Sequence, residues 1–307
     1  MRPNLLPFTL ICLLLVQCAR EVIIELPEEP TKLVAVCHFT EGENFRVKIS
    51  LSKPVNDARE PDFSQSMVDA SLSVNGQFWD RLKPDTTDRE EITYWESNKN
   101  QKAEAGIEYT FSVRVPGYPT IQSSSKTPPR VNLDPIVLGL GDLEITAISN
   151  GQSELRIPLE LRLSKAPTGP QYYAFNLTHE TRVFGPPNPY TVEGRTNFLT
   201  DGRTFSLLHD IPEPVVLINE NYWADDRRTL YLVARIPFDP DNERPHQIFV
   251  EWRTLSEEFY RYHLSLSRQS SNLPFSDPDA VFNNIESGYG NFSGFAVSRD
   301  TILIPNF

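Results

Sequence analysis

Cys18 is the residue whose type and position most directly imply chemistry. It follows Met1-Arg2-Pro3-Asn4 and a run from Leu5 to Val16 that is almost wholly apolar. A short basic start before an apolar stretch of this kind reads as a secretory signal peptide over 1–17, too short for the ~20 residues of a bilayer span. The run closes as Leu15-Val16-Gln17-Cys18, the apolar approach to a cysteine that a bacterial lipoprotein signal uses, although Gln17 stands where a small residue is usual. The reading is therefore acylation of the Cys18 thiol, with plain secretion as the alternative. Two or three acyl chains hold a protein stably on a membrane, since each buried CH₂ adds ~0.8 kcal/mol.

The other chemistry-bearing residues are sparse. Of three cysteines, Cys12 lies in the apolar run and Cys37 stands alone in an apolar segment, where it reads as a small buried hydrophobe. The five histidines, His38, His179, His209, His246 and His263, show no metal-binding spacing. Gly-x-Ser-x-Gly is absent, and no catalytic set and no cofactor are assigned. A triad assembled only in three dimensions leaves no such motif. The metal candidate is Asp239, Asp241, Asn242 and Glu243, hard oxygen donors of the kind calcium takes. It lacks EF-hand spacing, and the competing reading is an acidic hairpin loop. Tyr222 and Trp223 are the candidate ligand or partner contacts, since exposed aromatic side chains stack on sugars or anchor proteins; the competing reading is core.

The formal charge of −12 disfavours nucleic acid, whose phosphates such a surface repels. With 26 prolines and 14 glycines, the chain favours short strands and structured loops over helices. Residues 18–31, with Pro27 and Pro30, read as an extended tether. Alternation then marks strands at Leu33–Phe39, Phe45–Leu51 and Asp69–Val74, the last ending in Asn75-Gly76, a type I′ turn signal. Gln77–Leu82, Ile92–Trp95, Gly106–Val115 and Thr120–Thr127 complete about seven strands in about a hundred residues, the pattern of an immunoglobulin-like sandwich over 32–129.

Residues 130–307 read as a second β-rich domain. Strands are expected at Leu143–Ile148, Leu155–Leu163, Tyr172–Phe184, Thr204–His209, Val215–Asn219, Leu230–Ile236 and Gln247–Leu255. Pro158 suggests that its strand lies at a sheet edge. One helix is expected near 256–270, with Ser256 as N-cap, Glu257 and Glu258 in the first turn, and Phe259, Tyr262, His263 and Leu266 on one face. The fold class is all-β: an immunoglobulin-like sandwich followed by a second sandwich or barrel-like domain with one packed helix.

The C-terminal stretch carries a more specific signal. Leu255-Ser256-Glu257-Glu258-Phe259-Tyr260-Arg261-Tyr262 is followed by Gln269, Leu273-Pro274-Phe275-Ser276-Asp277-Pro278, Asn284-Ile285, Gly288-Tyr289-Gly290-Asn291-Phe292 and Gly294-Phe295. This resembles the C-terminal signature of a family of Bacteroidota lipoproteins, the domain-of-unknown-function family 4249. Ile23-Ile24-Glu25-Leu26-Pro27 and Lys32-Leu33-Val34 are similar to the family's start. Asn283, Glu286, Ser287 and Ser293 depart from its usual residues. The resemblance implies an outer-membrane lipoprotein with an accessory role beside a TonB-dependent transporter, and it carries over no catalytic residue. The glycine segment, a turn in the family's signature, permits positive φ and close backbone approach, with Tyr289, Phe292 and Phe295 expected to fill space under the helix. Membrane attachment through the lipid and a transporter partner are thus the expected associations. The alternatives are a secreted or periplasmic location, and a carbohydrate-binding module with or without hydrolase activity, or a structural surface or adhesion protein.

Overall fold

The computed structural model describes residues 30–53, 67–85, 94–134, 137–138, 143–149, 151–164, 171–185, 188–200, 208–210, 215–219, 228–270 and 280–305. The first seven strands are β1 (Leu33–Thr40), β2 (Arg46–Leu51), β3 (Asp69–Val74), β4 (Gln77–Pro84), β5 (Tyr94–Ser97), β6 (Glu108–Arg114) and β7 (Ile121–Lys126). They pair in the order β1-β2-β5-β4-β3-β6-β7. The strand β4 changes sheets within its own length: Gln77–Arg81 pair with β3 and Leu82–Pro84 with β5. That switch curls the strands into a sandwich. Alternate residues Leu33, Ala35, Cys37 and Phe39 of β1 and Tyr109, Phe111 and Val113 of β6 fill its core. Asn75 and Gly76 take positive φ in the β3–β4 turn, as a type I′ turn demands.

The second half adds β8 (Val137–Leu138), β9 (Glu144–Ser149), β10 (Gln152–Arg162), β11 (Tyr172–Val183), β12 (Tyr190–Arg195), β13 (Asn197–Thr200), β14 (Leu208–Asp210), β15 (Val216–Asn219), β16 (Thr229–Phe238), β17 (Glu243–Leu255), helix α1 (Glu257–Ser270) and β18 (Tyr289–Leu303). One sheet contains β13-β16-β10-β8, with β9 also on β10; the other runs β14-β15-β11-β17-β18, with β12 also on β11. Leu155, Ile157, Leu159 and Leu161 of β10 face Tyr173, Phe175 and Trp252 across the interior. The result is an open sandwich, not a closed barrel, and the described residues are all-β apart from α1.

Three expectations are corrected. The strand β10 is interior, with β16 along one side and β9 then β8 along the other. Pro158 is tolerated because it falls between Arg156, the last residue paired with β9, and Leu159, the first paired with β8. The Asp239–Glu243 loop is no hairpin: β16 and β17 belong to different sheets, and the loop carries the chain from one to the other. The glycine turn implied by the resemblance is only partly present: Ser287 and Gly288 turn the chain, while Gly290 already lies in β18, the longest strand among the described residues.

The two sandwiches share that strand. Residues 289–295 of β18 lie parallel to β1, from Val34 opposite Tyr289 to Thr40 opposite Phe295. Residues 295–303 lie antiparallel to β17, from Leu255 opposite Phe295 to Gln247 opposite Leu303. Phe292 enters the first core, 4.9 Å from the Phe39 ring and 5.5 Å from Phe111. Phe295, of opposite parity, meets Phe259 of α1 at 5.4 Å. Only Phe295 of that pair lies under the helix. Ile285 also belongs to the first core, so the sandwich built from 32–129 is completed by residues near the chain's end.

Candidate functional site

Cys18, Tyr222 and Trp223 lie outside the described residues. The oxygen-rich loop is within them, and its geometry is self-contained. The backbone N–H of Asp239 donates to Glu243 Oε2 at 2.8 Å, and that of Asp241 to Asp239 Oδ1 at 2.9 Å. The Asn242 side-chain amide donates to Asp239 Oδ2 at 2.9 Å. These donors, the Asn242 amide foremost, hold the Asp239 carboxyl below its ordinary range. Arg244 donates to the carbonyls of Pro240 and Glu243. The carboxylates therefore bind their own backbone, and a guanidinium occupies carbonyl oxygens that calcium would take. Among the described residues, no three His, Cys, Asp or Glu side chains gather where they could hold a metal ion.

What the fold does assemble lies where α1, β1, β7 and β18 meet. The C-terminal signature residues within the described chain converge there. Ser256 caps α1, accepting from the Phe259 N–H at 3.3 Å, with acidic residues in the first turn and Arg268 in the last. Phe259 and Tyr260 bury their rings on Ala174, Val215, Leu217 and Leu255 of the second sandwich. Asn284 uses both ends of its amide on Phe292: Oδ1 accepts from the backbone N–H at 3.0 Å, and Nδ2 donates to the carbonyl at 2.8 Å. It thereby acts as a one-residue strand partner to β18. Asn283 tightens the preceding turn, with Nδ2 donating to the Gly288 carbonyl at 3.0 Å and Oδ1 accepting from the Ile285 N–H at 3.1 Å.

The glycines mark close approach. A Cβ on Gly288 would sit 2.7 Å from the Leu33 carbonyl oxygen, and one on Gly294 2.5 Å from that of Lys126. Only a residue without a side chain lets β18 press on β1 and β7 at these points.

Beneath the helix two histidines from opposite ends of the chain come together. His38 projects from β1 on the side away from Cys37 and meets His263 of α1 at 4.8 Å between ring centroids. Phe259 lies 4.8 Å from the His38 ring and 4.3 Å from the His263 ring; Tyr262 borders both at 5.7 and 5.4 Å. Burial pushes His38 down to about 4, against a raising hydrogen bond with Asn291. Burial, then the neighbouring His38 and Arg253, push His263 down to about 3. Both rings are thus neutral near pH 7. His38 Nε2 is out of contact with water and has no hydrogen-bond partner. Arg253 on β17 is the nearby cation; its guanidinium donates to Glu251 at 2.9 Å and stacks on Phe295.

Ser293 lies opposite His38 in the β1–β18 register. Its hydroxyl donates to Asn291 Oδ1 at 2.5 Å, and both residues are fully buried. The cluster therefore joins the two sandwiches and holds two histidines whose protonation is suppressed. Local spacing could not have revealed the histidine pair. The alternation in β1 that puts His38 opposite to Cys37, together with the helical position of His263, was the available hint.

No curated protein matches this chain. Among solved structures, it is similar to a DUF4785 family protein from Legionella pneumophila subsp. pneumophila str. Philadelphia 1, at 14% identity and a TM-score of 0.20, over 71% of this chain and 51% of that one. It is also similar to a chain of a chaperone-tip adhesin complex of CFA/I fimbriae biogenesis, at 10% identity and a TM-score of 0.26, over 74% of this chain and 84% of that one. The chain spans about half the length of the Legionella protein. At these scores neither likeness bears on fold or function. The family model is decisive, matching residues 19–301: the chain belongs to the family described as domain of unknown function DUF4249.

Proposed function

We propose that this is an exported outer-membrane lipoprotein, anchored through Cys18, that binds a partner without catalysis and assists TonB-dependent uptake. The Bacteroidota setting and the transporter come from the family resemblance. The observation that best supports a partner-binding role is the placement of exposed apolar residues relative to the chain's entry.

Residues 30–33 enter the fold beside Tyr289, at the start of β18. From there β18 runs 15 residues to Leu303, roughly 45 Å at about 3.3 Å per residue. At that far end lie the β9–β10 and β11–β12 hairpins and the β16–β17 loop, as the registers of Ala147 with Ser153, Ser153 with Phe238, and Val183 with Glu243 require. Ile145, Ile148, Phe184, Tyr190, Val192 and Leu303 are 46–63% exposed there. Exposed apolar groups gathered at one end suit a contact with another protein. A tether leaving the opposite end would hold this one away from the membrane. Among the described residues no helix is long and apolar enough to cross a bilayer, so the acyl chains supply the attachment in this reading.

Metabolic labelling with a palmitate analogue tests the anchor: label on the wild type and none on Cys18→Ala is expected. Crosslinking in intact cells followed by outer-membrane solubilisation tests the partner. A transporter recovered with the wild type, and reduced by a Tyr190→Glu, Val192→Glu double substitution, is expected. An unmodified Met1 on protein purified from the cytosol overturns the reading.

A further inference from the structure

We propose that His38 and His263 form an acid-sensitive latch that holds α1 against β1 and releases it when the surroundings acidify. The inference stands apart from the anchoring and partner proposed above. It rests on where the pair sits. Helix α1 contacts the second sandwich through Phe259 and Tyr260. It contacts the first through Phe259, Tyr262 and His263 packed around His38. The histidine contact is therefore the part of the helix seat that bridges to β1.

The groups facing the pair explain why a proton breaks the seat. From β1 comes His38 itself. From β18 come the neutral Asn291 and Ser293, which bond each other. From α1 come Tyr262, Phe259 and Glu258, whose carboxylate accepts from Ser125 of β7 at 3.4 Å. From β17 comes Arg253, whose charge opposes protonation of both rings. Glu251, the nearest carboxylate on that strand, is held by Arg253 and Arg299. Among the described residues a proton on either ring thus meets a second ring and a guanidinium, opposed at His38 by its hydrogen bond with Asn291. Like charges in contact in a desolvated site are relieved by hydration, and hydration requires the helix to lift.

Lifting α1 costs less than unfolding the sandwiches. The strand β1 is held by backbone ladders on both sides, to β2 and β18, whereas α1 is held by side-chain packing on Phe259 and Tyr260, the histidine contact and a few bonds such as those of Glu258 to Ser125 and Asn291. Openings of this kind are local and cheaper than global unfolding. Once the open form binds a proton that the closed form refuses, its population rises up to about tenfold per pH unit for each ring.

Amide hydrogen exchange on the full chain tests the latch between pH 7.5 and 4.5, corrected for intrinsic exchange. The expected result is loss of protection in residues 257–270 below about pH 6.5, with β6 and β10 still protected. In the His38→Phe, His263→Leu double variant the protection of α1 becomes independent of pH. Helix protection that stays constant across the range in the wild type, or an unchanged acid response in the variant, overturns the proposal. If the variant does not fold, imidazole NMR titration of the wild type decides. Both resonances should resist protonation until α1 opens; ordinary titration near pH 6.5 with the helix still protected overturns the latch.

Discussion

Gly290 lies so close to Ala35 that a Cβ placed on it would sit 1.9 Å from the Ala35 carbonyl oxygen, and its φ is +123°. Both facts exclude a side chain, one by collision with backbone, the other by conformation. Gly290→Ala is therefore expected to destabilise the chain by about 3 kcal/mol or more, or to prevent folding. Gly185, whose Cβ would meet nothing within 4 Å, is the matched control. Chemical denaturation of Gly185→Ala is expected within about 0.5 kcal/mol of wild type. Equal effects at the two positions would remove close approach as the reason for the glycine.

Asn284 makes two hydrogen bonds to one residue of β18. Asn284→Ala leaves the Phe292 N–H and carbonyl without this partner, at a cost of about 1–3 kcal/mol. Asn284→Asp keeps the acceptor and loses the donor, so an intermediate loss is expected. A midpoint shift in urea at unchanged slope checks both. A loss no greater for Ala than for Asp would mean that the bond from the Phe292 N–H contributes nothing.

The two buried histidines also set a sign for global stability against pH. Both are pushed below their ordinary value in the folded chain, to about 4 for His38 and about 3 for His263. Above about pH 6.5 neither state binds these protons and the pair has no effect. As pH falls below that value the unfolded chain takes up protons that the folded chain refuses. Stability therefore drops, by up to about 1.4 kcal/mol per pH unit for each ring. The drop ends near pH 4 for His38 and near pH 3 for His263. Urea unfolding at pH 7.5, 6 and 5 measures it. The His38→Phe variant should show a shallower slope over that window, and an equal slope would exclude His38 as a contributor.

These relations explain which parts of the molecule were readable in advance. Alternation in β1, β2, β3 and β6 is strong because one face is core and the other is not, and the Asn75-Gly76 turn follows from backbone conformation alone. The Ser256 cap and the helix were legible for the same local reason. The strand Tyr190–Arg195 was missed because its side chains are mostly exposed on both faces, leaving no apolar period to read. The parallel pairing of β1 with β18 is non-local, and no turn joins the partners. Its sequence trace was the glycines, whose type announces close backbone approach but does not say which strand approaches. The His38–His263 contact depends on that pairing and on the seat of α1, so it could emerge only with the tertiary fold.

The Asp239–Glu243 loop gives a prediction about metal that separates composition from geometry. Its composition suits calcium. Its Asp239 carboxylate, however, accepts from Asp241 N–H and the Asn242 amide, and Glu243 accepts from Asp239 N–H. Arg244 adds a fixed positive charge on the loop's carbonyls. To coordinate a cation, the carboxylates would have to give up these bonds and face the guanidinium. Thermal unfolding in excess calcium and in excess chelator is therefore expected to coincide. Asp239→Ala, which removes the acceptor for Asp241 N–H and the Asn242 amide, should lower the melting temperature slightly and equally under both conditions. A calcium-dependent rise in the wild-type melting temperature that Asp239→Ala abolishes would show instead that the loop rearranges around a cation and that its present bonds only hold it ready.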